Sequence, residues 1–114
     1  MSTITINVIN STAKGIVALA GGGQTDATIL SSQFNRIDTV ATTNDSCKLD
    51  AATAGKVRKI YNSSDNDCEI FPKVGERFQN DVNLLSLNES IILASKNGIE
   101  LVCYDGEDGI FTFY

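Results

Sequence analysis

The chain has no histidine and no tryptophan among its 114 residues. Histidine is the commonest general base near neutral pH, so its absence excludes Ser-His-Asp and Cys-His activation of a nucleophile. Two acidic clusters remain, Asp65 with Asp67 and Asp105 with Glu107 and Asp108, and both stand among the Asn, Ser and Gly residues that are typical of turns. The sequence therefore predicts a protein that is not an enzyme, with no catalytic, cofactor-binding or metal-binding residues.

Cysteine is also scarce, with three residues at positions 47, 68 and 103. An odd number cannot be fully paired within one chain, and no two of them have the C-x-x-C spacing that holds zinc. We expect reduced, partly buried thiols, as in a protein that folds in a reducing cytoplasm.

Long apolar runs and basic clusters are missing as well. No apolar run approaches the length of a membrane span, and residues 1–10 lack the basic residues that open a signal peptide. The 9 basic residues are outnumbered by 14 acidic ones, and only Lys56, Arg58 and Lys59 lie close together. This triplet favours a solvated strand edge over a phosphate contact. We expect neither a nucleic acid nor a membrane as partner.

What the sequence does contain is short alternating segments separated by polar turns, which is typical of β-strands. "CEIF" is expected to return antiparallel to "KVRKIYN", and Asn97-Gly98 predicts a hairpin between the two segments that flank it. The only proline, Pro72, is expected to end "CEIF", with Gly75 turning the chain. The predicted fold is all-β, a small antiparallel β-sandwich or barrel with an extended N-terminal arm. The predicted strands are "TITINV" (3–8), "KVRKIYN" (56–62), "CEIF" (68–71), "ESIILAS" (89–95), "GIELVCYD" (98–105) and "IFTFY" (110–114).

The N-terminal third differs from the rest, because from Asn10 to Gln33 it is rich in small residues and includes three consecutive glycines. Such a segment has little with which to build a core, so we predict an arm over residues 1–33 and a sandwich or barrel domain over residues 34–114. A plain flexible linker is the alternative. An arm that orders against a partner would cover its apolar residues, with "GGG" as a hinge. The predicted partner-binding residues are Thr3, Ile4, Ile6, Val8, Ile16, Val17 and Leu19.

Residues 38–105 resemble a module of small virion proteins of tailed bacteriophages, including head decoration proteins and head or tail fibre proteins. The module has a Thr/Asp-rich entry, an Ala-rich turn ending in glycine, a strand ending in asparagine, and the string "hydrophobic-Phe-Pro-x-x-Gly". The tryptophan that often follows its final Asp-Gly turn is replaced here by "IFTFY". The matching positions are Asp45, Leu49, Gly55, Ile60, Asn62, Phe71, Pro72, Gly75, Asn80, Ile91, Lys96, Leu101, Cys103, Asp105 and Gly106.

The resemblance implies a capsid decoration or cement protein that binds the capsid surface and stabilises the head as a homotrimer. Its partners would be further copies of itself and the phage major capsid protein. It would be made in the cytoplasm of the bacterial host and located on the capsid surface of the virion. The alternative is a fibre or spike domain that recognises host-surface carbohydrate. Decoration is favoured because most aromatic residues fall at strand positions that a core could use.

Overall fold

The computed structural model describes residues 11–80 and 83–113. These residues form eleven β-strands and no helix, which confirms the all-β prediction. The strands are β1 (Thr12–Val17), β2 (Thr28–Leu30), β3 (Phe34–Thr39), β4 (Ser46–Leu49), β5 (Val57–Asn62), β6 (Cys68–Phe71), β7 (Arg77–Asn80), β8 (Asn83–Leu84), β9 (Ile91–Leu93), β10 (Gly98–Asp105) and β11 (Ile110–Phe113).

The strands form a large sheet of seven, in the order β1-β3-β5-β10-β11-β7-β8, and a small sheet of four, in the order β2-β4-β6-β9. From β1 to β6, successive strands alternate between the two sheets. Strands β1, β3 and β5 are parallel in the large sheet, and β2, β4 and β6 are parallel in the small sheet. The chain therefore winds in coils, each stacked on the one before, as in a solenoid.

The prediction of antiparallel pairing was wrong for this winding part, because both sheets are mixed. Antiparallel pairs join β10 to β5 and β11, β6 to β9, and β7 to β8. The parallel pairing arises because successive strands alternate between the two sheets. When consecutive strands enter different sheets, neighbours within one sheet are a full coil apart and run in the same direction.

The two predicted hairpins were also wrong, since β5 and β6 lie in different sheets, as do β9 and β10. The Asn97-Gly98 signal marks a real turn, in which Lys96 has φ 60° and the Asn97 N–H donates to the carbonyl of Ala94 at 3.2 Å. That turn leads across to the other sheet instead of back along the same one. A local turn signal does not determine which sheet the next strand joins.

The core is one hydrophobic cluster that takes residues from both sheets. Pro72 directly follows β6 and is fully buried, and Gly75 has φ 87° in the next turn, as expected from the local sequence. The most deeply buried apolar members of the cluster are Leu30, Ile37, Cys47, Leu49, Ile60, Cys68, Ile70, Phe78, Leu101, Cys103 and Phe111.

The extended N-terminal arm is not confirmed. Residues 1–10 lie outside the described residues, and Thr12–Val17 and Thr28–Leu30 are paired strands at the edges of the two sheets. Leu30 has no exposed surface. The division of the chain after residue 33 stays a prediction.

Candidate partner-binding surface

The predicted partner-binding residues within the described part have three different environments. Ile16 is partly buried against the core, whereas Val17, next to it in β1, is 56% exposed. Leu19 is half-buried and forms a β-bridge with Ser46 of β4. The other four, Thr3, Ile4, Ile6 and Val8, lie outside the described residues.

Strand β1 is the edge strand of the parallel series β1-β3-β5, and β2 is the edge strand of the parallel series β2-β4-β6. We name the end of the molecule that β1 and β2 form the N-terminal end. Ile29 of β2 is 57% exposed, much like Val17 of β1. The two strands are linked directly, because the Thr28 hydroxyl donates to the carbonyl of Val17 at 2.7 Å. Ile29 was not predicted, although in "TIL" it must face away from the buried Leu30. The N-terminal end thus combines two sheet edges with two exposed aliphatic side chains.

The glycine-rich loop that joins β1 to β2 is held in place and does not fit the predicted hinge. Residues Gly21, Gly22 and Gly23 all have positive φ, and a Cβ on Gly22 would lie 2.8 Å from the backbone oxygen of Asn44. The Gly21 N–H donates to the Asp45 carboxylate at 3.1 Å, and the Ser46 hydroxyl donates to the carbonyl of Gly23. At Gly22, only glycine combines the positive φ with this close approach to Asn44.

The edge strand β1 contains a bulge at Gly15, which has φ 72° and interrupts the register with β3. Its N–H donates to the carboxylate of Asp38. The same carboxylate accepts hydrogen bonds from the Ser63 hydroxyl at 2.7 Å and from Arg36 Nε at 2.7 Å. Hydrogen bonds from Ser63 and Arg36 lower the pKa of Asp38 from 3.8 to about 2. Bulges of this kind are typical of edge strands that are protected from indiscriminate pairing.

We predict that Asp38 gives the fold part of its resistance to acid. A carboxyl group whose pKa is lower in the folded state contributes stability above its unfolded pKa, and this is lost as the pH falls from 3.8 toward about 2. The Tm of the Asp38→Asn variant, measured by circular dichroism, should therefore fall less between these pH values than the Tm of the unaltered chain. Asp65→Asn is the matched control, because the Asp65 side chain is 94% exposed. Equal acid sensitivity of the unaltered chain and Asp38→Asn would contradict the prediction.

A groove of about 340 Å³ lies near the start of β1 and is lined by Ser11, Ser31, Gln33, Gly55, Val57 and Arg58. Arg58 is its only charged residue, and its guanidinium binds Asp50 through Nη2 at 2.8 Å and Nε at 3.1 Å. Partial burial alone would raise the pKa of Asp50, but the hydrogen bonds from Arg58 and Lys56 outweigh it and the pKa is lowered. The groove therefore presents no uncompensated charge to a ligand.

The rest of the basic triplet is paired too. Lys56 Nζ lies 3.1 Å from an Asp50 oxygen, and Lys59 Nζ lies 3.6 Å from Glu100. Each basic side chain has an acidic neighbour on the same part of the surface. The predicted strand edge was wrong, because β5, which contains Arg58 and Lys59, lies between β3 and β10 in the large sheet.

Both acidic clusters lie in turns. The Asp105 carboxylate accepts the backbone N–H of Asp108 at 3.0 Å. A separate side-chain hydrogen bond with Asp105, together with the charge of Asp105, raises the pKa of Asp108. The Asp67 carboxylate accepts the N–H of Ser95 at 3.0 Å. Within residues 11–80 and 83–113, no group of three or more His, Cys, Asp or Glu is placed to hold a metal ion.

The three cysteines are free, and all three are buried more completely than the sequence predicted. The neighbouring Cys68 and burial raise the pKa of the Cys47 thiol, and burial raises that of Cys103. These side chains pack as small apolar residues in the core.

Across the described part of the chain, no helix combines the length and apolar character needed to cross a bilayer. Val17 and Ile29 are exposed at the N-terminal end, and other aliphatic side chains are exposed elsewhere on the described surface, including Val74, Leu84, Leu87 and Ile92. Comparison with protein-family models, with curated proteins and with solved structures gave no match.

Proposed function

We propose that the protein is a structural component of a tailed-phage virion, a decoration or cement protein that binds the major capsid protein and stabilises the head as a homotrimer. The proposal starts from the resemblance of residues 38–105 to small virion proteins. The observation that carries it furthest is the N-terminal end, where Val17 and Ile29 are 56% and 57% exposed on adjoining sheet edges. Exposed aliphatic residues beside sheet edges are typical of surfaces that join other protein chains.

The fold suits a role that depends on contact area. We propose that the two sheets pack face to face as a sandwich, because one hydrophobic cluster takes residues from both. Such a body is rigid and presents its edges and outer faces to neighbours. A trimer would repeat the contact three times, and repeated weak contacts sum to a strong attachment when their geometry matches the capsid lattice.

A second candidate function is recognition of host-surface carbohydrate by a fibre or spike domain. It is favoured by the outer face of the large sheet, where Phe34 is 39% exposed and Tyr104 is 56% exposed. The Tyr104 hydroxyl donates to the side-chain oxygen of Gln79, and Phe34 lies in register with Lys59. Aromatic faces beside amide and charged groups are suited to sugars. If this function holds, Tyr104→Ala should abolish binding to a glycan array.

The main proposal is tested with the purified virion of the phage that encodes the chain. Mass spectrometry should find the protein at hundreds of copies per particle. A few copies would indicate that the protein is located on the tail and would favour carbohydrate recognition. Recombinant protein should be a trimer by light scattering and should co-sediment with capsids that lack it. A stable monomer that is absent from virions and has no affinity for capsids would refute the proposal.

The surface is tested with charged substitutions at matched exposed positions. The double variant Val17→Asp with Ile29→Asp should weaken capsid binding at least about tenfold, because a buried contact would then contain unpaired charges. The control is Val74→Asp with Ile92→Asp, which changes side chains that are 57% and 53% exposed elsewhere on the surface. Equal binding by both double variants would exclude the N-terminal end as the contact.

A further inference from the structure

Two side chains of β11 are buried on the outer face of the large sheet, away from the core. Ile110 and Thr112 are each 7% exposed, and Ile110 is not part of the hydrophobic cluster of the core. Phe111, which lies between them, is a member of that cluster. Because alternate residues of a strand face opposite sides of the sheet, Ile110 and Thr112 face outward. They are covered by side chains of the outer face itself.

Tyr104 of β10 is one of these covering side chains. Its hydroxyl donates to the side-chain oxygen of Gln79 in β7, and β11 lies between those two strands. The tyrosine side chain therefore reaches across β11, while 56% of the residue stays exposed. A ring that is held at its hydroxyl offers apolar contact area to a ligand at little cost in side-chain entropy.

A groove of about 280 Å³ opens on the same outer face and is lined by Arg77, Leu84, Asp108 and Ile110. Leu84 is 51% exposed and lies opposite Gln79, the residue that holds Tyr104. The groove and the tyrosine ring thus share one stretch of surface. Pockets for drug-sized ligands have volumes of roughly 300–1,000 Å³, so this groove suits a ligand of about one ring.

Arg77 differs from the other two arginines of the chain in its pairing. Arg36 holds Asp38 through Nε at 2.7 Å and Nη2 at 3.2 Å. Arg58 holds Asp50 through Nε at 3.1 Å and Nη2 at 2.8 Å. Among the described residues, none forms an ion pair or a hydrogen bond with the Arg77 guanidinium. Its fork of N–H donors is therefore available to the carboxylate of a ligand, which such a fork binds through two hydrogen bonds.

The remaining groups of the groove suit the rest of a sugar. Asp108, in the turn between β10 and β11, can accept hydrogen bonds from hydroxyl groups, and the aliphatic Leu84 and Ile110 can contact the C–H faces of a ring. The exposed ring of Tyr104 adds a flat surface beside them. A neutral sugar would leave Arg77 without a charged partner. The groove therefore favours a sugar that carries a carboxylate, and the flat ring favours a sugar over the acidic side chain of a peptide.

We propose that this groove, which we name the Arg77 groove, binds a sugar acid such as a uronic acid, with the carboxylate on Arg77 and the sugar ring against Tyr104. The proposal rests on the second candidate function, recognition of host-surface carbohydrate, and names the class of sugar. Strands β7 and β1 lie toward opposite edges of the large sheet. A chain attached to a capsid through its N-terminal end therefore keeps the Arg77 groove free for a sugar.

Two pairs of matched sugars test the proposal by NMR titration of isotopically labelled protein. Methyl glucuronide and methyl galacturonide carry a carboxylate where methyl glucoside and methyl galactoside carry a primary alcohol. At least one uronide should bind at least about tenfold more tightly than its neutral parent, because hydrogen bonds between charged groups are stronger than those to a neutral hydroxyl. The amide signals of Arg77, Tyr104 and Asp108 should shift on binding.

Arg77→Gln separates the charge from the rest of the groove. It should lower the affinity for the uronide at least about tenfold and leave the affinity for the neutral parent within about twofold. The matched control is Lys73→Gln, which removes a positive charge from an exposed position in the turn between β6 and β7. This control should change neither affinity by more than about twofold, because exposed charges at a distance are screened by salt. The comparison of uronide with parent on the unaltered chain needs no variant, so it holds even where Arg77→Gln fails to fold.

The outcomes distinguish the proposal from the second candidate function. Equal affinity of the unaltered chain for the uronides and their neutral parents would overturn the assignment to a sugar acid, as would a folded Arg77→Gln variant that binds uronides as well as the unaltered chain does. Neutral sugars that bind and are lost in Tyr104→Ala would leave carbohydrate recognition itself standing. If no sugar shifted any signal and the glycan array showed no binding, both the sugar acid and the second candidate function would be refuted.

Discussion

Replacing Phe78 by alanine is expected to lower the free energy of unfolding by about 3–5 kcal/mol. Phe78 lies in β7, has no exposed surface, and meets the ring of Phe113 edge to face at 6.2 Å between centroids. Alanine would leave a cavity in the hydrophobic cluster and remove this ring contact. Since small domains are stable by about 5–15 kcal/mol, the variant should unfold at markedly lower urea concentration. Far-UV circular dichroism is the suitable probe, because the chain has no tryptophan.

Phe34→Ala is the matched control for Phe78→Ala. Phe34 is 39% exposed on the outer face of β3, so its loss should cost no more than about 1 kcal/mol. If both phenylalanine variants had the same urea midpoint, Phe78 would not be a core residue and the placement of β7 would be wrong.

The second large effect is expected at Asn62, the buried last residue of β5. Its amide donates to the carbonyls of Asn66 at 2.8 Å and Leu93 at 3.1 Å. Its oxygen accepts the N–H of Ser64 at 3.1 Å and the Ser64 hydroxyl at 2.6 Å. One side chain thus joins β5 of the large sheet, the turn that follows it, and β9 of the small sheet. Asn62→Ala should destabilise the fold by about 3 kcal/mol, because several buried polar groups lose their partners.

Asn97→Ala provides the comparison for Asn62→Ala, in the same urea titration. Asn97 is exposed, and its amide donates to the carbonyl of Ser95 at 2.9 Å. Water can replace that bond, so the loss should be within about 0.5 kcal/mol. Asn62→Ala with a midpoint as high as that of Asn97→Ala would show that the two sheets are not joined through this side chain.

The sequence predicted five of the eleven described strands, β5, β6, β9, β10 and β11, and missed the other six. "GIELVCYD" and "CEIF" coincide with β10 and β6, and "KVRKIYN" exceeds β5 by one residue. Strand positions follow from the alternation of side chains, which is local. Pairing depends on which sheet each strand enters, and β9 and β10 enter different sheets although Leu93 and Leu101 lie in one shared core. No pattern within the turn between them carries that information.

The exposed residues of the N-terminal end were predicted only in part from the sequence. Val17 is exposed, whereas Ile16 packs against the core, because the Gly15 bulge shifts the register of β1. Ile29 was missed because residues 10–33 have few large side chains, from which we predicted that they would not build a core of their own. Their small residues instead allow close packing, as at Gly22, where a Cβ would lie 2.8 Å from the Asn44 oxygen. A low content of large side chains therefore did not mean a lack of structure.

The position of the β10 and β11 pair has a consequence for how the protein is made. These strands lie between β5 and β7 in the large sheet, although they come last in the described chain. While the ribosome is still adding residues 98–113, β5 and β7 have no neighbour through which to join, and the large sheet is in two parts. Phe78 and Ile60 can reach their final packing only after Leu101 and Phe111 arrive. Folding of the large sheet is thus completed only after residues 98–113 have been made, and nascent chains that stall before residue 98 expose apolar surface to chaperones and proteases.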